Sequence, residues 1–408
     1  MGFFSRLVRK LDLKDPSGSP LTARSDVTGI SVNDHTALQL SAANGCLRLI
    51  ARTIGTLPLS VVEKVGESRR IATEHPVHRL LRHSPNADQT PAEFKQGMAG
   101  SILRWGNSYH EIKRNGRGDI VALQPLDSAQ VVVGRNNTGA RVYRYTKASK
   151  HTVFNEDDIL PVRGFSFNGD EGLTPIEYGA HCFGAALAAD KTARRFFSDG
   201  MQADGVLEMD SFLNSDQRDQ VKENIIKPFQ GLRNTGRTML LEGGMKYKQL
   251  SINPEDAQLL ETRRFNIEEI CRWYGVPPVL IGHAQEGMTN WGSGIEQIIL
   301  IWLKTGLEAQ LNDIEEALAK KLFSPAERDR YQIKFNLNKL LRADMKARAE
   351  YYRQGISSGW MTRNEARVLE ERDRIEGLDK PLVPLNMAAV ADNGELELPE
   401  NDNATSQN

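Results

Sequence analysis

Three groups of residues are of the types that do chemistry, and each lacks a part that its chemistry needs. Gly134-Arg-Asn-Asn-Thr-Gly139 begins like a phosphate-cradling loop. Ala140-Arg141 then stands where a Lys and a Ser or Thr would meet phosphate and magnesium, and predicted strands flank the segment, so it reads as a β-turn. Gly355-Ile-Ser-Ser-Gly359 has the spacing of a nucleophile elbow, which would aim Ser357 at an acyl carbon. That elbow requires a preceding strand, whereas the helical run Met345–Arg353 precedes this one, so a helix-to-helix turn is the reading. His75, His78 and His83 suggest a zinc cluster, but Pro76 and Pro85 break the local geometry and no HExxH pattern accompanies them. No carboxylate pair can be nominated for acid–base work. The sequence predicts no catalytic residue, no metal and no cofactor.

Composition narrows the classes further. Among 408 residues, 52 Lys and Arg nearly balance 53 Asp and Glu, which excludes a strongly basic coat that binds by neutralising phosphates. A 39% hydrophobic content with 26% charge is that of a folded chain. The three cysteines, Cys46, Cys182 and Cys271, form no disulfide framework or CxxC knuckle, which suits a reducing compartment. The apolar run Ile298–Leu303 falls far short of the roughly 20 residues a bilayer needs, so no membrane span is expected. Residues 1–14 alternate apolar and basic positions as a short terminal or docking helix would, and 15–34 are rich in turn formers.

The elements that carry these segments predict an α+β region from about Thr36. A helix through Cys46–Ile54 leads to a strand Leu57–Lys64, and a helix Pro91–Arg104 to a hairpin Tyr109–Lys113 and Ile120–Leu123 turning at Asn115-Gly116. Short strands follow at Val131–Val133, Val142–Tyr145 and Ile159–Val162. Thr90-Pro-Ala-Glu93, Thr174-Pro-Ile-Glu177, Ser324-Pro-Ala-Glu327 and Thr362-Arg-Asn-Glu365 each read as a capping box that starts a helix. Three helices dominate: 176–198, loaded with small residues; 254–274, halted by Gly275-Val-Pro-Pro278; and 294–322, with one apolar stripe from Ile295 to Leu318. Between the first two lies a compact insert with strand Gly205–Met209, helix Ser215–Phe229 and strands around Gly243-Gly244. Between the second and third lies the polar, glycine-punctuated segment Gly282–Gly294. A strand Tyr331–Asn336 and a helical region Asn338–Asp373 complete the order, before an acidic end.

The order of these motifs resembles the HK97 family of tailed-bacteriophage portal proteins. The match is carried by Leu57-Pro-Leu59, Ser84-Pro-Asn86, Gly106-Asn-Ser-Tyr109, Leu123-Gln-Pro-Leu126, Gly172-Leu-Thr-Pro-Ile176, Leu241-Glu-Gly-Gly244 and Pro254-Glu-Asp-Ala257. Glu269-Ile-Cys-Arg-Trp-Tyr-Gly-Val-Pro-Pro278 is the most specific, followed by Thr362-Arg-Asn-Glu365, and the series covers roughly residues 36–386. The resemblance implies a ring-shaped homo-oligomer, typically a dodecamer, at one capsid vertex. Double-stranded DNA would pass through it during packaging and ejection without sequence-specific contact.

The resemblance also partitions the chain: a flexible segment 1–35, a wing 36–173, stem helices 174–200 and 253–278, and a clip 201–252. A tunnel loop 279–294, a long helix with its strand 295–336, a crown 337–388 and a disordered acidic tail 389–408 follow. Gln285, Met288, Thr289, Asn290 and Trp291 become the candidates for channel contact, and Gly179, Ala180, Gly184, Arg263 and Arg264 for the stem. The implied partners are the large terminase subunit, the major capsid protein or scaffold, and a head–tail adaptor. The implied location is the virion, after assembly in the host cytoplasm. ATP hydrolysis would belong to the terminase. Read without the family, the residues leave two alternatives open: another virion component such as a tail adaptor or minor capsid protein, or a hydrolase acting on DNA or peptides.

Overall fold

The computed structural model describes residues 24–25, 31–66, 68–167, 169–198, 205–208, 214–223, 246–249, 254–283, 293–337, 345–370, 372–382, 389–390 and 396–397. The chain divides into two compact units, Met1–Asn336 and Leu337–Asn408.

The first unit opens with helix α1 (Ser41–Thr56), strands β1 (Leu59–Val65) and β2 (Ser68–Ile71), and helices α2 (Pro76–Arg82) and α3 (Pro91–Trp105). Six strands come next: β3 (Asn107–Arg114), β4 (Ile120–Leu126), β5 (Val131–Arg135), β6 (Arg141–Lys147), β7 (Lys150–Asn155) and β8 (Ile159–Arg163). A single turn Pro175–Tyr178 precedes α4 (Ala180–Ser198), then β9 (Gly205–Glu208), α5 (Ser215–Val221), β10 (Lys246–Gln249) and α6 (Pro254–Tyr274). The unit ends with α7 (Ser293–Trp302), a π turn Leu303–Leu307, α8 (Glu308–Leu322) and β11 (Tyr331–Phe335). The second unit holds α9 (Met345–Ser357) and α10 (Arg363–Leu369).

The strands form antiparallel sheets in the orders β11-β1-β2, β8-β3-β4, β5-β6-β7 and β9-β10, so the fold is α+β. Tyr109, Leu126, Val131, Tyr143, Phe154 and Ile159, one from each of β3 to β8, share a single cluster that joins two sheets. Burying each such side chain contributes about 1.5–3 kcal/mol. In α1, Ala42, Cys46, Ile50 and Ile54 recur every fourth residue and are buried, which turns that face onto α3 and α6.

Helix ends follow the predicted chemistry with one exception. The boxes at Thr90/Glu93, Ser324/Glu327 and Thr362/Glu365 are all formed. Thr174 departs from the prediction: its hydroxyl accepts from Ile176 N and donates to Arg104 O, tying the turn to the end of α3. Gly106 closes α3 at φ +72, and a Cβ there would stand 2.2 Å from Gly172 O. This is a position that only glycine fills.

Several elements differ from the sequence expectation. The helix predicted over 176–198 is interrupted at Gly179, and that over 294–322 by the π turn at 303–307. β2, β7 and α2 were not predicted. β7 pairs with β6 through a tight turn at Ala148 and Ser149, both with positive φ. Backbone pairing starts ahead of Thr36, where Arg24–Ser25 pairs with Ser31–Val32 and Asn33 caps a helical turn Asp34–Ala37. Within the acidic end, Ala389–Val390 pairs with Leu396–Glu397. The strands expected around Gly243-Gly244 lie outside the described residues, whereas β10 pairs with β9.

In the second unit Asn364 is fully buried. It donates to Ile375 O at 2.8 Å and accepts from Ile375 N at 2.9 Å, which pins the following loop to α10.

Candidate functional site

The motifs that resembled catalytic sites serve structure instead. Asn136 Oδ1 accepts from the amides of Thr138 and Ala140, closing the β5–β6 turn that had looked like a phosphate loop. Ser357 sits in the last turn of α9 and its hydroxyl donates to Gln354 O, with no strand before it. His75 caps α2 by accepting from Val77 N, and buried His78 accepts from Val61 N on β1. Burial holds His78 below the usual histidine range.

The seam between α4 and α6 is built for close approach. A Cβ on Gly179 would lie 2.7 Å from Pro175 O and 3.0 Å from both Phe183 and Trp273, so the Trp273 ring rests against bare backbone. Ala180 and Gly184 are buried on the same helix face, and Phe183 meets Tyr274 edge-on at 6.3 Å. Arg263 points out of the seam and bridges to Asp190 on α4 at 3.3 Å, while Arg264 is exposed beside it. Asp190 also holds Arg194 at 2.9 Å. Being exposed, the Arg263–Asp190 pair stabilises the seam by at most about 1 kcal/mol, while Arg194–Asp190 stays within α4. The small residues therefore pack, and the two arginines lie on the accessible face.

The candidate channel residues Gln285, Met288, Thr289, Asn290 and Trp291 lie outside the described residues. On the side leading in, a turn Pro278–Ile281 ends at Gly282 with φ +84, and His283 lies 3.8 Å from Glu268 of α6. On the far side stands α7.

Several charges elsewhere in the first unit fasten the frame. Glu63 of β1 accepts from Arg70 at 2.7 Å and from Arg330 at 2.6 Å, and these guanidiniums hold its carboxyl below the usual range. Asp170 joins Arg141 and Arg135, each at 2.7 Å, and is lowered by the same cause. Glu315 of α8 is buried and accepts from Lys334 at 2.5 Å and from Phe335 N at 2.7 Å, fastening β11.

Two features had no signal in the spacing of residues. One is a groove of about 280 Å3 lined by Gly45, Arg48, Leu49, Arg52 and Thr53 of α1 and by Leu280 and Ile281. The other is α7, whose apolar side chains remain largely uncovered.

Proteins of similar sequence and fold identify the family. Residues 41–371 match the family described as "Phage portal protein". The chain is 32% identical over 391 residues to the portal protein of Enterobacteria phage HK97, covering 94% of this chain and 91% of that one. It is likewise 32% identical over 384 residues to the probable portal protein of Streptomyces phage phiC31, covering 90% and 82%. Among solved structures, a chain from the neck of an empty gene transfer agent particle, computed with C6 symmetry, superposes with a TM-score of 0.61 at 25% identity. That match covers 86% of this chain and 97% of the other. Nearly whole in length, this correspondence leaves one assignment: the chain belongs to the phage portal protein family.

Proposed function

We propose that the chain is the repeating subunit of a ring at one capsid vertex, a dodecamer, through which double-stranded DNA enters and leaves the particle. The observation that carries this reading is the family match over 41–371, together with alignment along nearly the whole length of the HK97 portal protein. In this reading 36–173 serve as the wing, 174–200 and 253–278 as the stem, 201–252 as the clip, and 337–388 as the crown. The clip docks the large terminase subunit and afterwards the head–tail adaptor, and the wing meets the major capsid protein or scaffold. Residues 279–294 form the tunnel loop, with Gln285, Met288, Thr289, Asn290 and Trp291 toward the DNA.

Charge supports a conduit over a clamp. Every lumen residue is repeated by each subunit, so one arginine would become a collar of positive charge and oppose sliding. Residues 284–292 contain no Lys or Arg, and the whole chain sums to −1. The chemistry of DNA translocation then belongs to a partner that hydrolyses ATP.

Negative-stain microscopy of the purified chain tests the reading. Rings with an open axis are expected; solid particles or monomers under assembly conditions overturn it. ATP turnover by the purified chain that a point substitution abolishes would overturn the division of labour.

A further inference from the structure

α7 breaks the rule that an apolar helix is a buried helix. Its sequence Ser293-Gly-Ile-Glu-Gln-Ile-Ile-Leu-Ile-Trp302 carries five aliphatic side chains and a single charge, Glu296. Yet Ile295, Leu300 and Ile301 are 38%, 43% and 59% exposed, and Ile298 and Ile299 are only half-buried. A π turn, Leu303–Leu307, follows α7. From Trp302 onward the stripe is buried, through Leu303, Leu307, Leu311, Ile314 and Leu318. Gly306 holds that turn in place, since a Cβ there would lie 2.7 Å from Gly275 O. Among the described residues α7 packs substantially only on its own continuation.

The α1 groove has the complementary character. Gly45, Arg48, Leu49, Arg52 and Thr53 fall on the face of α1 opposite its buried stripe, and Leu280 and Ile281 form the facing wall. Its floor is aliphatic. Arg48 and Arg52, one helical turn apart at its lip, are exposed, and neither makes a hydrogen bond or ion pair among the described residues. Glu296 is exposed and equally without such a partner.

We infer that α7 of one subunit lies in the α1 groove of the next, with Glu296 seated between Arg48 and Arg52. The occupant is a second copy because charge and apolarity match within this one chain, and because a groove and a helix on different surfaces make a head-to-tail contact. Repeated by rotation, such a contact closes a ring. The inference rests on the ring reading above and specifies which surfaces build it.

Charge exchange tests it on the full chain, by mass photometry and electron microscopy with circular dichroism as a check on folding. Glu296→Arg alone, and Arg48→Glu with Arg52→Glu, should each raise the concentration for half-assembly at least about tenfold, since like charges then meet in the contact. Combining all three substitutions should return it to within about threefold of wild type. Independently, Thr53→Cys with Gln297→Cys should yield a ladder of inter-subunit disulfides under air oxidation that neither single variant gives. Folded variants that assemble as well as wild type, or a triple variant that stays as defective as its parents, would overturn the inference and leave the ring intact. A wild type that forms no ring would overturn both.

Discussion

The sulfurs of Cys46 on α1 and Cys271 on α6 lie 3.7 Å apart, with both residues fully buried and 225 positions apart in sequence. The Cys46 thiol donates to Cys271, which pushes its own pKa far up, with burial adding to the effect, and draws that of Cys271 down. Cys182 is half-buried, and burial pushes it up to about 11. Thiolates are the reactive form. At pH 7.5 the folded protein should therefore react with Ellman's reagent far more slowly than the denatured chain, which exposes all three thiols. Two thiols titrating within seconds in the native state would refute this packing of α1 on α6.

His110 on β3 is buried beside Phe94, and burial pushes its pKa down to about 4. The unfolded chain takes up this proton first, near pH 6.5, so the stability due to neutral His110 is full above that pH. It declines as pH falls, and the full loss of about 3 kcal/mol is reached below pH 4. Denaturant midpoints measured at one protein concentration should fall across this window. His110→Gln should flatten the slope, and an unchanged slope would contradict the burial.

Glu315→Ala and Glu315→Gln separate two roles of one carboxylate. Gln keeps an acceptor for Phe335 N and loses only the partly exposed ion pair with Lys334, at a cost of about 1 kcal/mol. Ala leaves a buried amide without a partner and should cost about 2–3 kcal/mol. Chemical denaturation orders them, and equal losses would show that the amide does not depend on Glu315.

Gly172 and Gly116 predict opposite outcomes for one substitution. A Cβ on Gly172 would stand 2.0 Å from Gly106 O, where backbone cannot yield, whereas one on Gly116 meets nothing within 4 Å. Gly172→Ala should cost about 3 kcal/mol or more, and Gly116→Ala less than about 0.5. Thermal melts of the two variants decide it.

What sequence makes legible here is what local chemistry encodes. α6 runs Pro254–Tyr274 as predicted, because Pro254 starts it and Gly275-Val-Pro-Pro278 forbids its continuation. β2 went unseen because all of Ser68–Ile71 is exposed, leaving no alternation, and in β7 only Phe154 is buried. The π turn was hidden by apolar residues that recur regularly on both sides of it. Its one trace, Gly306, owes its meaning to Gly275, a neighbour only in the fold. The same limit applies to the candidate site: nothing in the spacing of arginines separates Arg263, paired with Asp190, from Arg48 and Arg52.

The sheet order β11-β1-β2 has a consequence for synthesis. Arg330, next to β11, reaches Glu63 of β1 across 267 residues, so β1 stays without one neighbour until nearly the whole first unit has left the ribosome. At about 5–20 residues per second that interval lasts on the order of tens of seconds. Throughout it the nascent chain presents Leu59 and Val61, buried in the finished protein, along an open strand edge. Yield of soluble subunit in the host should accordingly be governed by chaperone supply during translation more than by the stability of the completed fold.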